Sequence, residues 1–143
     1  MKALGDFYRF AEKQNITVDF FPLQSREALS LMDEQGRCFV AIDREKLRGE
    51  ADERAKLAHE LGHCATGAFY NRYSPWDCRR RHENKADKWA VIQLVEEDAL
   101  DEAIADGCCT LWELAEHFGV PETVMKKAVC WYTYGNVADE LYF

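Results

Sequence analysis

The sequence is short of basic residues, of proline and of long apolar runs, and each shortage excludes something. Lys and Arg number 18 against 26 Asp and Glu, a formal net charge of −8. That balance argues against a nucleic-acid-binding surface over the whole molecule. Three prolines and eight glycines exclude a low-complexity or collagen-like chain. No window approaches the roughly 18 apolar residues that a membrane span needs. The first residues, Met1 to Arg9, lack the apolar stretch of a signal peptide. The expectation is a cytoplasmic protein with no membrane partner. The six cysteines (38, 64, 78, 108, 109 and 130) include no CxxC pair. In a reducing compartment they are expected to be free thiols, buried as small apolar groups.

What is present is enough for a core. Apolar residues make up 48% of the 143 and aromatics 13%, which excludes disorder, and the length is that of one domain. Leu4, Phe7, Tyr8 and Ala11 recur at helical spacing. Ile16, Val18 and Phe20 alternate with polar neighbours, and Ala28–Met32 and Cys38–Ile42 are short apolar runs around the turn Asp33-Glu34-Gln35-Gly36. These predict three short strands, the last two a hairpin. From about Glu50 the pattern is helical: roughly 50–67, 80–95, 97–106 with Gly107 as stop, 110–118, then a turn at Gly119-Val120-Pro121 and a last helix to about Tyr132. Strands cluster and helices cluster, which predicts α+β. The expected organisation is a single domain over 1–143: N-terminal helix and sheet about 1–48, two helices about 50–95, and a C-terminal helical hairpin about 97–134.

His59-Glu60-Leu61-Gly62-His63 is an HExxH motif inside a predicted helix. Two His at i and i+4 stand one turn apart on one face, so both imidazoles can reach one zinc ion. Glu60 beside them is placed to take a proton from a water that the ion activates. A hydrolytic zinc wants three protein ligands and an open fourth position. The metzincin extension is excluded, because Thr66 and Phe69 occupy its Gly and His places. Glu83 lies 20 residues after His63 on the next predicted helix, and Asp87 follows one turn later. Glu83 is the expected third ligand and Asp87 the expected acceptor for a ligand imidazole N–H. His82 is the alternative ligand, about 100° around the helix. Ala86 and Ala90 would let the two helices approach closely.

His59–His63 together with Glu83-Asn-Lys-Ala-Asp-Lys-Trp-Ala90 resembles the ImmA/IrrE family of zinc metallopeptidases. Members of that family pair HELGH with E-x-x-A-[ND]-x-[FW]-A. The likeness continues through Gly67–Asn71 and Trp112–Phe118, and covers most of the chain from about residue 20 to 132. It implies a zincin-like α+β domain with one zinc ion on His59, His63 and Glu83, and Glu60 as the base. It also implies a protein substrate: short members from phages and mobile elements cleave or otherwise inactivate a helix-turn-helix repressor. One departure is Gln93-Leu94-Val95-Glu96, where many members have Leu-Leu-x-Pro.

Other residues leave choices open. Candidate oxyanion stabilisers are Tyr70, Tyr73, His82, His117, Tyr132 and Tyr134, with Tyr70 and Tyr73 favoured by their place after the HExxH helix. Leu111–Ala128 has a helix-turn-helix pattern, but Lys126 and Lys127 are its only basic residues on the second helix. A packed helical hairpin is expected there, without direct nucleic-acid contact. The aromatic C-terminal stretch (Trp131, Tyr132, Tyr134, Tyr142, Phe143) is read as core or as a partner surface. Residues 38–42, followed by Asp43-Arg44-Glu45-Lys46, are expected to form a substrate-binding edge strand. Two further functions fit the sequence: a metal-binding regulator that inactivates its partner by contact, and a small DNA-binding protein.

Overall fold

The computed structural model describes residues 2–70 and 73–137. Helix α1 (Leu4–Lys13) opens where the Asp6 carboxylate accepts from the Ala3 N–H at 2.8 Å, and it buries Phe7 and Ala11. Three strands come next, β1 (Thr17–Phe20), β2 (Ala28–Met32) and β3 (Cys38–Ile42). The helices α2 (Glu50–Thr66), α3 (Trp76–Leu94), α4 (Glu97–Ala105), α5 (Leu111–Phe118) and α6 (Glu122–Tyr134) complete the described fold. Strands first and helices after make it α+β.

The sheet order is β1-β3-β2. Strand β2 pairs antiparallel with β3 as the expected hairpin, and β1 pairs parallel with β3 on its other side. Residues 38–42 are therefore the central strand, and the expected substrate edge is not there. The edge that remains beside the helices is β2. The charges after β3 have another task. Asp43 accepts from the N–H groups of Leu23 and Glu45, at 3.0 and 3.2 Å. Lys46 donates to the carbonyls of Leu23, Gln24 and Arg26. Together they fix the loop that leads into β2.

Helix α3 starts at Trp76, ahead of the predicted start near 80. Pro75 has φ −56° and ψ 148°, and a proline at a helix entrance gives up no needed N–H. Asp77 in the first turn offsets the charge of Arg79, Arg80 and Arg81 at the positive end of the helix dipole. The α5–α6 segment packs as a hairpin: Leu114, Ala115 and Phe118 of α5 and Met125 and Ala128 of α6 are buried in the common core with Ile42, Leu57 and Leu94. Trp131 and Tyr132 pack against that core, whereas Tyr134 is exposed. Tyr142 and Phe143 lie outside the described residues. All six cysteines are free. Five are half-buried and Cys109 is exposed, so none is the fully buried small group that was expected. No described helix is long and apolar enough to cross a membrane.

One buried cation ties the two halves together. Arg54 on α2 is 6% exposed. Its Nε donates to Lys2 O and its Nη1 to the Phe118 and Gly119 carbonyls, each at 2.8 Å; Nη2 reaches Leu94 O at 3.4 Å. These acceptors include carbonyls at the ends of α3 and α5 that no helix turn can satisfy. Arg54→Met should remove these donors and leave the acceptors dry. We expect a loss of at least about 2 kcal/mol in unfolding free energy, measured by urea denaturation.

Candidate metal centre

The centre depends on how closely α2 and α3 approach. A Cβ on Gly62 would lie 2.6 Å from the Ala86 carbonyl oxygen, nearer than any real contact. Gly62 and Ala86 thus let the two backbones touch, Ala86 being fully buried. That contact lies between His59 and His63 on α2 and between Glu83 and Asp87 on α3, so all four side chains meet at one place. Gly67, with φ +68°, ends α2 in the left-handed conformation that favours glycine. The chain then turns back, and the Ala68 carbonyl reaches the His63 ring.

One ligand atom from each of His59, Glu60 and His63 lies within 4.8 Å of the others. The Glu83 carboxylate lies against both rings, 2.8 Å from His59 Nε2 and 3.3 Å from His63 Nε2. Both Nδ1 atoms are already used. His59 Nδ1–H donates to Asp87 Oδ1 at 2.8 Å, and His63 Nδ1–H to Ala68 O at 2.5 Å. These acceptors fix the rings so that both Nε2 atoms face Glu83, as in a built zinc site. Two imidazole nitrogens and a carboxylate, each held from behind, fit a divalent cation such as zinc. Glu83 also accepts from the Tyr70 hydroxyl at 2.5 Å.

Two supports of this site come from residues that the motif reading missed. Lys127 on α6 donates to Asp87 Oδ2 at 2.8 Å. Ser30 on β2 donates to Glu60 Oε1 at 2.9 Å. A polar residue within the run Ala28–Met32 was the one sequence signal for Ser30; Lys127 had none beyond its charge. The other candidates lie elsewhere. Tyr73 is 79% exposed and lines neither part of the cleft. His82 stacks on Tyr70, with its Nδ1 buried and without a hydrogen-bond partner among the described residues, but does not join the His–Glu cluster. His117 is exposed beside Phe118. Tyr132 donates to Val95 O at 2.7 Å.

The charges of the site hold one another. Burial alone would lower the His59 pKa, but hydrogen bonds to Asp87 and Glu83 outweigh it and raise it to about 10. Burial works to raise Glu83, and its bonds to His59, His63 and Tyr70 hold it well below the usual carboxylate range. Asp87 is lowered in the same way, against its burial, by His59 and Lys127. The Tyr70 hydroxyl is pushed up by burial and by Glu83, so it stays protonated. The cleft over these residues has two lobes. One, of about 700 Å³, runs between β2 and the His59–Glu60–His63 face. The other, of about 1280 Å³, lies between α2, α3 and the start of α6.

The family model of Peptidase M78, described as the IrrE N-terminal-like domain, matches residues 11–129. The chain belongs to this family. It is a member of the ImmA/IrrE metallopeptidases, and its α+β fold is the zincin-like one. A search of the curated proteins finds no match. The HExxH helix and its partner must stay in contact for His59, His63 and Glu83 to meet, which makes Gly62 a sensitive point. Gly62→Ala should force α3 away from α2, at about 1–3 kcal/mol for the added methyl. Affinity for a divalent cation, with zinc as the probe, should fall by about 10–100-fold, as for loss of a supporting partner. Thermal unfolding and a competitive zinc titration read the two effects.

Proposed function

We propose that the protein is a zinc-dependent endopeptidase acting as a single metallopeptidase domain. The observation that carries this is the meeting of both Nε2 atoms and the Glu83 carboxylate beside Glu60. His59, His63 and Glu83 would hold the ion, with Asp87 orienting His59. Bound zinc would supply a Lewis acid that activates water and polarises the scissile carbonyl. Glu60 is the base. This residue is 8% exposed, its Oε1 accepts from Ser30, and it lines the lobe beside β2. It takes the proton of the attacking water and delivers it to the leaving amine. With Glu83 on the ion, the Tyr70 hydroxyl, held in its protonated form, would turn its one proton from Glu83 to the developing oxyanion.

The substrate is an extended peptide laid along β2. The ladder bonds Asp43 N–H to Glu27 O and Asp33 N–H to Arg37 O are each 2.9 Å. The alternation of an antiparallel ladder then turns the N–H and C=O of Ala28, Ser30 and Met32 away from β3. Ala28 to Leu31 line the lobe beside His59, Glu60 and His63. A peptide adding to that edge would cross the zinc site through main-chain hydrogen bonds. We infer that the partner is a helix-turn-helix repressor of a phage or mobile element, cut in the cytoplasm, on the family resemblance. A contact-only regulator is the second reading; a base held by its own hydrogen bond favours chemistry over it.

Incubation with the repressor encoded beside the gene should give one defined cut. Glu60→Gln should keep the fold and the zinc and lower kcat by about 10²–10⁴, while His59→Ala/His63→Ala should lose the metal in elemental analysis. Relief of repression in cells by Glu60→Gln would instead favour the contact reading. Met32→Pro should remove one outward N–H from the edge. It should keep the zinc and lower kcat/KM by about 3–10-fold, the worth of one hydrogen bond.

A further inference from the structure

Arg79 is a cation whose Nε finds no acceptor among the described residues. It sits on α3 one turn before Glu83 and lines both lobes of the cleft. Its Nε is buried and has no hydrogen-bond partner among the described residues. The carboxylates nearby are engaged elsewhere. Glu83 is bound by His59, His63 and Tyr70. Glu27, which also lines both lobes, pairs with Lys56 at 3.0 Å. A buried guanidinium N–H without an acceptor is costly, and none of the described residues supplies one. The planar fork of Arg matches a carboxylate in bidentate geometry. On the facing wall Arg26, just before β2, lies against the Tyr70 hydroxyl and lines the same lobe. Two guanidinium groups thus line the lobe beside the metal centre.

We propose that Arg79 is the carboxylate-binding residue of the cleft: it receives a carboxylate of the peptide substrate next to the scissile bond. This rests on the peptidase reading. The carboxylate comes from an Asp or Glu side chain or from the C-terminus of the peptide. In either case the guanidinium closes on a partner that the protein itself withholds. Arg79 would then set which bond lies over the metal, as a specificity residue that takes no proton.

The test measures binding as well as cleavage. Zinc-loaded Glu60→Gln protein is titrated by fluorescence anisotropy with short fluorescein-labelled peptides. One set scans Asp against Asn through the positions of an amidated peptide. The other compares a free C-terminal carboxylate with its amide. We expect one set to show a preference for the carboxylate of about 10-fold or more, and that set names the source. Arg79→Gln, added to the Glu60→Gln protein, should bring the preference below about twofold at unchanged zinc content and melting temperature. Arg79→Glu should reverse it, favouring Lys over Asn at the same position. No preference in either set, no peptide binding at all, or a preference that survives Arg79→Gln overturns the proposal. Carboxylate-selective binding that Arg79→Gln abolishes, without any cleavage by the parent protein, leaves Arg79 standing as the carboxylate-binding residue and overturns the peptidase reading with the scissile-bond placement. Cleavage by the parent without carboxylate preference does the reverse.

Discussion

The touching backbones of α2 and α3 are the constraint on which the rest depends. With no side chain on Gly62 and only a methyl on Ala86, the two backbones touch, and two histidines on one helix meet a carboxylate on the other at one point. The result of this approach is electrostatic. Glu83 and Asp87, set against two imidazoles, push the His59 pKa up to about 10 against the effect of burial. The same negative field that favours a proton there would favour a divalent cation.

Around that contact the site draws on distant parts of the chain. The sheet supplies Ser30 to Glu60, the turn after α2 supplies Ala68 O to His63, and the last described helix supplies Lys127 to Asp87. Each group that would touch the ion or the reacting water therefore has a partner behind it. Such partners fix orientation at a cost in stability that a packed apolar core must offset. Buried Leu57 and Leu61 on α2 and Val91 and Leu94 on α3 provide that core on both helices.

The local features of this arrangement were legible in the sequence and the long-range ones were not. HExxH and the E-x-x-x-D element announce themselves by spacing on a single helix, and the strands by their runs. The central place of Cys38–Ile42 was hidden, because it depends on β1 arriving parallel from the other side. Charge after the strand looked like protection of an edge. In three dimensions Asp43 and Lys46 fasten a loop. Ser30 and Lys127 reach the site from 30 and 40 residues away along the chain from the groups they hold, and no periodicity reports such a pair. Tyr73 was favoured for its nearness in sequence to the HExxH helix, and nearness in sequence did not bring it to the cleft.

Arg54 has a consequence for how the molecule breathes. Its guanidinium is shared between the chain's beginning and the ends of α3 and α5. For α5 to open by itself, a buried charge would lose its acceptors while α2 stayed closed around it, so the opening is costly. Fluctuation of the C-terminal helices is therefore joined to fluctuation of α2, the helix that carries both histidines. Amide protons in α2, α5 and the end of α3 should then belong to one exchange unit, and the metal-binding face would be among the last parts of the fold to open.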